Sequence, residues 1–152
     1  MNAKSCFFIG HRDTPNTLLP VLQEIIEQHI FEYHVTDFIV GHYGNFDCLA
    51  ARAVISIKPK YPTISLSLLL PYHPSERPIE LPIGFDNTYY PENIEHVPKK
   101  FAIVRANQYT IQSVDYLIAY VQHPASNAYN LLNYARRREL RGEISICNIA
   151  NI

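Results

Sequence analysis

The stretch Gly41-His42-Tyr43-Gly44-Asn45-Phe46-Asp47 lies between an apolar strand-like run and an alanine-rich helical run. The run before it is Asp37-Phe38-Ile39-Val40, and the run after it is Cys48-Leu49-Ala50-Ala51-Arg52-Ala53-Val54-Ile55. A strand, a glycine turn and a helix in this order direct free backbone N–H groups and the positive end of a helix dipole at one point. Gly41 allows a sharp turn, and Gly44 allows a ligand to approach the main chain without meeting a Cβ. The stretch therefore predicts a site for a phosphate-bearing ligand, which Gly44→Val should block at little cost in packing.

A second segment with the same design lies near the N-terminus. Cys6-Phe7-Phe8-Ile9-Gly10-His11-Arg12 is an apolar run that ends in glycine and is followed by polar side chains. In open α/β sheets, ligands bind where the carboxyl ends of the parallel strands meet. We therefore expect the two glycine turns to share one crevice at the carboxyl end of a sheet. An anion should bind there, against the N-terminus of the helix that starts near Asn45, with His11, Arg12 or His42 as further donors.

Short apolar runs alternate with amphipathic segments along most of the chain. Predicted strands cover residues 6–10, 37–41, 63–71, 115–122 and 143–148, and predicted helices cover residues 15–33, 46–57, 99–113 and 126–140. Strands that alternate with helices in this way form parallel sheets with right-handed crossovers. We expect an α/β fold, a single Rossmann-like domain over residues 1–152, with a mainly parallel sheet in the order 3-2-1-4-5 and helices on both faces.

The alternation breaks in a proline-rich segment after the third predicted strand. We interpret residues 72–98 as an irregular but ordered excursion with a short strand near residues 93–97, because long loops within a domain are usually functional or disordered and this one is rich in apolar side chains. Three of its aromatic side chains are candidates to cover a base: Phe85, Tyr89 and Tyr90.

Composition limits the class of protein. The 152 residues are 18% charged and 47% apolar, which is an ordinary globular balance. A net charge of −1 gives no general attraction to nucleic acid or membrane. No apolar stretch is long enough for a transmembrane helix, and no secretory signal is recognised. The three cysteines, Cys6, Cys48 and Cys147, lie in apolar runs without metal-ligand spacing. We therefore expect reduced core thiols in a cytoplasmic protein.

Four segments together resemble one family. They are Phe8-Ile9-Gly10-His11-Arg12, similar to an opening TGHR; Gly41-x-x-Gly44-x-Phe46-Asp47-x-x-Ala50-Ala51, similar to GGxxGxDxxAA; Ser67-Leu68-Leu69-Leu70-Pro71-Tyr72, similar to a strand end in PY; and Arg105-x-Asn107-x-Tyr109 with Asp115-Tyr116-Leu117-Ile118-Ala119, similar to RNxxM…SDxLIA. In order and spacing they resemble the SLOG superfamily, in its small YpsA-like branch. This superfamily also holds the DNA-processing protein DprA and the Lonely Guy cytokinin-activating phosphoribohydrolases. The resemblance covers residues 7–138.

The resemblance implies a Rossmann-like sheet with a nucleotide or nucleotide-derived ligand at its carboxyl end. By position, it implies ligand contacts from Gly10, His11, Arg12, Gly41, Gly44, Asp47 and Arg105.

The chain departs from the family pattern at three places. His42 replaces one of a pair of glycines, and Arg105 is displaced by one position. A GGT phosphate loop is replaced by Gln122-His123-Pro124-Ala125-Ser126-Asn127, which has no glycine. Ser126, at the start of a predicted helix, still offers a donor.

Each of these residues also has a structural interpretation. Asp47 falls in the first turn of its helix, where a carboxylate is favoured by the dipole; as a functional group it suits a ribose hydroxyl or proton transfer. Arg12 and Arg105 suit a phosphate clamp or a solvated surface. The basic run of Arg136, Arg137, Arg138 and Arg141 resembles a nucleic-acid patch, but it falls at a helix C-terminus, where cations complement the dipole. We favour the structural interpretation for that run.

Four histidines each fall within two residues of the end of a predicted strand: His11, His42, His73 and His123. In a parallel sheet they gather at one end, where at least one of them can contact a ligand. Chance placement in loops is the alternative. No short-range pair has the spacing of a zinc site, so we expect no metal.

Two classes of function fit these patterns. One is a module that binds and senses a nucleotide, and the other is an enzyme acting on a nucleotide glycosidic bond, with Asp47 or a histidine as acid or base. Residues 124–131 lack the glutamate of the Lonely Guy loop, so we favour binding and expect neither that hydrolysis nor a cofactor. Binding of single-stranded DNA, as in DprA, is disfavoured by the net charge. The expected partner is a nucleotide-type small molecule, with no membrane; homo-oligomerisation stays open.

Overall fold

Six strands form one parallel sheet in the computed structural model, which describes residues 3–152. The strands are β1 (Lys4–Gly10), β2 (Val35–Val40), β3 (Ser65–Leu69), β4 (Asn87–Tyr89), β5 (Tyr116–Tyr120) and β6 (Ser145–Asn148). Their order is β4-β3-β2-β1-β5-β6, and every neighbouring pair is parallel. The predicted α/β class is confirmed, and the five predicted strands keep the expected order around a central β1.

The strand β4 extends the sheet beyond the predicted order. It lies in the proline-rich excursion and pairs with β3 at the sheet edge, with Leu68 opposite Thr88. The prediction of a strand near residues 93–97 is wrong. Ile94–His96 is a 3-10 helix, and Asn93 before it has a left-handed backbone conformation. A strand of three residues is too short to show an alternating pattern, which explains why the sequence did not reveal it.

Four α-helices connect the strands: α1 (Leu19–Tyr33), α2 (Asn45–Ile57), α3 (Ala102–Ser113) and α4 (Asn127–Leu140). The helices expected over residues 15–33 and 99–113 each start later as α-helix, because a 3-10 helix forms their first turn. The predicted cap of α4 is confirmed, since Ser126 Oγ accepts a hydrogen bond from the N–H of Tyr129 at 3.1 Å.

Alternating side chains of β1 divide the core into two layers. Cys6 and Phe8 pack with α1 and α2, whereas Phe7 and Ile9 pack with α3 and α4 on the other face. Side chains point to opposite faces of a strand in turn, so an apolar run without polar interruption is expected in a sheet covered on both sides. Helices on both faces are therefore confirmed.

The proline-rich excursion is tied back to the sheet at Asp86. Its carboxylate accepts hydrogen bonds from Lys58 Nζ at 2.7 Å and from the N–H of Leu66 at 2.8 Å. The hydrogen bond from Lys58 lowers the pKa of Asp86, and the N–H of Leu66 lowers it further. Lys58 also donates to the carbonyl of Gly84 at 3.1 Å. The lysine that follows α2 thus fixes the segment that leads into β4.

The cysteines occupy three different environments. Cys6 is buried, Cys147 is half-buried and Cys48 is exposed on α2. The expectation of three core thiols is therefore wrong for Cys48.

No helix within residues 3–152 has both the length and the apolar character that crossing a membrane requires.

Candidate functional site

A cavity of about 500 Å³ lies at the carboxyl end of the sheet, beside the N-terminal halves of α3 and α4. Small-molecule sites usually enclose about 300–1,000 Å³. Its lining includes six of the predicted site residues: Gly10, His11, Arg12, Gly41, Asp47 and Ser126. The helices α3 and α4 add Ile103, Val104, Asn107, Gln108, Asn127, Ala128, Asn130 and Leu131. The topology thus brings most of the predicted residues together.

Gly44 does not line the cavity. Its backbone has a φ of 135°, and a Cβ there would lie 2.8 Å from the Cα of Arg12. The missing side chain therefore makes room for the turn after β1, which packs against the start of α2. The expectation that Gly44→Val costs little in packing is wrong, because the space beside Gly44 is filled by the protein itself.

The first N–H of α2 is used within the protein. The N–H of Asn45 donates to the carbonyl of Arg12 at 3.0 Å. The side-chain amide of Asn45 donates to the carbonyl of Thr14 and, at 2.8 Å, to Asn16 Oδ1. Asp47 adds a carboxylate in the same helical turn. The position where the sequence predicted an anion therefore already holds a protein carbonyl and an acidic side chain.

Asp47 lies in the cavity wall beneath the turn after β2. Its Oδ2 accepts a hydrogen bond from the N–H of Tyr43 at 3.1 Å. A Cβ at Gly41 would lie 2.9 Å from the same oxygen, which explains the glycine there. Burial raises the pKa of Asp47 to about 6, against the smaller opposing effect of the Tyr43 hydrogen bond. A cavity carboxyl that titrates near neutral pH is a candidate functional group.

His11 is buried, and its Nε2 accepts two backbone hydrogen bonds. The donors are the N–H of Gln122 at 2.8 Å and the N–H of His123 at 3.3 Å. Burial lowers the pKa of His11, and the neighbouring His123 lowers it further, whereas Asp13 raises it. Because Nε2 accepts these two bonds, it carries no proton, and the proton of the ring is on Nδ1.

Only two of the four strand-end histidines lie in the cavity wall. The rings of His11 and His123 are 4.7 Å apart. The ring centroids of His42 and Tyr43 are 4.2 Å apart, and those of His73 and Tyr90 are 5.3 Å apart. Neither His42 nor His73 lines the cavity. Across residues 3–152, no three His, Cys, Asp or Glu side chains group in a way that could hold a metal ion.

The N-terminus of α4 opens on the cavity. Ser126 caps the helix and binds the N–H of Tyr129, and the two N–H groups between them belong to Asn127 and Ala128. The first N–H groups of a helix have no acceptor within it, so they are available to a ligand. Both residues lie in the cavity wall. The sequence predicted that the N-terminus of α2 would face the ligand. In the structure, the first two residues of α4 line the cavity.

Arg105 lies outside the cavity lining. Its guanidinium donates to Gln108 Oε1 at 2.6 Å and to the Tyr109 hydroxyl at 3.1 Å, and it lies over the Tyr109 ring at 4.7 Å. These partners hold the side chain along α3. The three aromatic candidates to cover a base, Phe85, Tyr89 and Tyr90, also lie outside the lining of this cavity. Sequence reasoning missed Ile103, Val104 and Leu131, although α3 precedes β5 and so must begin at the carboxyl end.

Three of the four arginines at the end of α4 have partners within the protein, and Arg136 donates to Asn133 Oδ1 at 3.3 Å. Arg138 donates to Glu143 at 3.1 Å and to the carbonyls of Ile111 and Val114. Arg141 donates to Glu143 at 3.0 Å. Arg138 thus joins the C-terminal end of α3 to the turn after α4, which agrees with the structural interpretation of the basic run.

No protein-family model matches this chain, and no curated protein matches it either.

Proposed function

We propose that this protein binds a nucleotide or nucleotide-derived ligand in the cavity, as a binding or sensing module. The supporting observation is that the open N-terminus of α4 lies in the wall of a cavity at the carboxyl end of a parallel sheet. Anions bind at helix N-termini because the N–H groups and the dipole act together. Arg12 lies in the same wall and supplies a cation.

The rest of the lining supports a ligand with one anionic group and a planar apolar part. Arg12 is the one arginine in the described lining, which contains no lysine, and Asp47 would repel a second anionic group. Ile103, Val104 and Leu131 offer apolar surface to the faces of a base. The amides of Asn107 and Asn130 offer donors and acceptors to its edge.

We also propose membership of the SLOG superfamily, in the YpsA-like branch. Five residues that the resemblance implies as ligand contacts lie together in the cavity wall, which supports this assignment: Gly10, His11, Arg12, Gly41 and Asp47. The glycine-free segment after β5 and the orientation of Arg105 are the points where this chain differs from the pattern.

Arg12→Ala should weaken nucleotide binding by about 1.5–3 kcal/mol, the usual contribution of a hydrogen bond to a charged group. The wild-type protein is first screened by thermal shift against nucleoside mono-, di- and triphosphates and cyclic nucleotides. Saturation at 100 times Kd should add about 2.7 kcal/mol to the free energy of unfolding. The Kd of each variant is then measured by titration calorimetry.

Arg105→Ala is the matched control for Arg12→Ala. It removes the same charge from a side chain that does not line the cavity, so the Kd should stay within about twofold. Failure of the whole panel to stabilise the wild-type protein would overturn the proposed function. Equal losses in both variants would show that the anion does not bind beside Arg12.

A second candidate function is catalysis at a nucleotide glycosidic bond, which the pKa of about 6 at Asp47 favours. A carboxyl with such a pKa can act as acid or base near neutral pH. We expect no such activity, since residues 124–131 contain no acidic residue. Incubation with AMP, followed by chromatography for free base, tests this. Release above roughly 1 s⁻¹, an ordinary turnover, that disappears in Asp47→Asn would establish the second candidate instead.

A further inference from the structure

The segment between β5 and α4 (residues 121–126, here the β5–α4 loop) keeps a fixed shape without glycine. Within it, Ser126 donates through its N–H and its hydroxyl to the carbonyl of His123, at 3.3 and 2.7 Å. At its start, Asn148 Oδ1 accepts the N–H of Val121 at 3.0 Å, and Asn148 Nδ2 donates back to the carbonyl of Val121 at 3.1 Å.

The centre of the β5–α4 loop is held from the neighbouring strand by His11. The N–H groups of Gln122 and His123 both point to the buried Nε2 of this side chain. In a glycine-rich phosphate loop, successive N–H groups of this kind point at the ligand. Here they bind a protein acceptor, and the free N–H groups nearest the cavity are those of Asn127 and Ala128 at the start of α4.

We infer that His11 is a positioning residue for the bound anion: it fixes the β5–α4 loop so that the N–H groups of Asn127 and Ala128 face the cavity. This inference rests on the proposed function. The anion itself is bound by α4 and Arg12, and His11 acts through the loop. A side chain that accepts hydrogen bonds at the position of Nε2 is required, and the positive charge of a protonated ring is not.

Two substitutions distinguish the effect of the hydrogen-bond acceptor at Nε2 from the effect of the size and shape of the His11 ring. His11→Gln keeps an acceptor, since the Gln side-chain oxygen reaches about as far as Nε2, whereas His11→Phe keeps a buried ring and removes the acceptor. Binding of sulfate and of AMP is measured by titration calorimetry at pH 7.5. Sulfate is included because it keeps one charge state near neutral pH. Circular dichroism and thermal melting identify the variants that are folded.

We expect His11→Phe to bind both anions at least about tenfold more weakly, and His11→Gln to stay within about threefold of the wild type. Equal affinity of His11→Phe and the wild type would overturn the positioning role and leave the proposed function intact. Failure of the wild type to bind either anion would overturn both. An equal loss in both folded variants would show that the imidazole contacts the anion itself.

A spectroscopic measurement on the wild-type protein tests the same inference if His11→Phe does not fold. Because Nε2 accepts the loop N–H groups, nitrogen NMR at pH 7.5 should show the His11 ring with its proton on Nδ1 and Nε2 unprotonated. A ring with its proton on Nε2 cannot accept these bonds and would overturn the inference. If His11 only filled space in the core, nothing would require its proton to be on Nδ1.

Discussion

Asp47→Asn should raise the free energy of unfolding at pH 7.5 by up to about 3 kcal/mol. Burial raises the pKa of Asp47 from 3.8 to about 6 in the folded protein. A difference of this size corresponds to roughly 3 kcal/mol that opposes folding once the carboxyl is ionised. Asparagine is nearly the same shape, carries no charge, and can still accept the N–H of Tyr43. The stability that this variant gains would measure the free energy that the ionised Asp47 side chain costs the folded protein.

The sign of the effect depends on pH. Below pH 3.8 the carboxyl is protonated in both states, and the wild type and the variant should be equally stable at this position. Between pH 3.8 and about 6 the unfolded chain ionises first and the folded protein binds more protons, so the wild type loses stability relative to the variant as pH rises. Above about pH 6 the difference should be constant.

Urea unfolding of both proteins at intervals between pH 4 and 8 measures this difference. Asp86→Asn is the control, because hydrogen bonds to Lys58 and Leu66 lower the pKa of that carboxyl. Its removal should lower stability, with the loss present above the unfolded pKa and fading as the pH falls. An Asp47→Asn variant that is less stable than the wild type at pH 7.5 would contradict the burial argument.

Gly44→Ala should lower the free energy of unfolding by about 2–6 kcal/mol. With φ of 135° and ψ of 173°, Gly44 occupies a backbone region that is essentially restricted to glycine. Strain there costs about 1–3 kcal/mol. The added Cβ would also lie 2.8 Å from the Cα of Arg12, and overpacking of this kind costs about 1–3 kcal/mol more. Urea unfolding measures the loss.

Gly142→Ala is the matched control for the backbone term. Gly142 also has a positive φ, of 72°, but a Cβ there meets nothing within 4 Å. Its loss should be about 1–2 kcal/mol, the cost of a left-handed conformation for an L-residue. If Gly44→Ala costs no more than Gly142→Ala, the turn after β1 yields easily and the contact with Arg12 does not constrain it.

Much of the fold could be predicted because its signals are local and repeated. The apolar runs at β1, β2, β3 and β5 are long enough to show their character, and alternation with helices then sets a parallel sheet. The strand β4 has three residues and no such pattern. Its position depends on tertiary contacts of Asp86 that no periodicity reveals.

The site was predictable to the extent that topology alone decides it. Gly10, Gly41 and Asp47 meet because β1 and β2 are neighbours. The sequence does not show whether a glycine makes room for a ligand or for another part of the protein, and Gly44 proves to be the second kind. The direction of a long side chain is equally hidden, since Arg105 could have turned toward the cavity or, as it does, toward Gln108 and Tyr109.

The central position of β1 has a consequence for the order in which the protein assembles. Residues 6–10 are synthesised before residues 116–120, although the two segments pair in the sheet. During synthesis, β1 can pair with β2 long before β5 has left the ribosome. Until then, the edge of β1 that pairs with β5 has no partner. Pairing between such distant segments is slow, and an unpaired edge is prone to aggregation in the meantime. A nascent chain that stops before residue 116 would therefore expose the middle of its own sheet, and it would lack the α4 wall of the cavity.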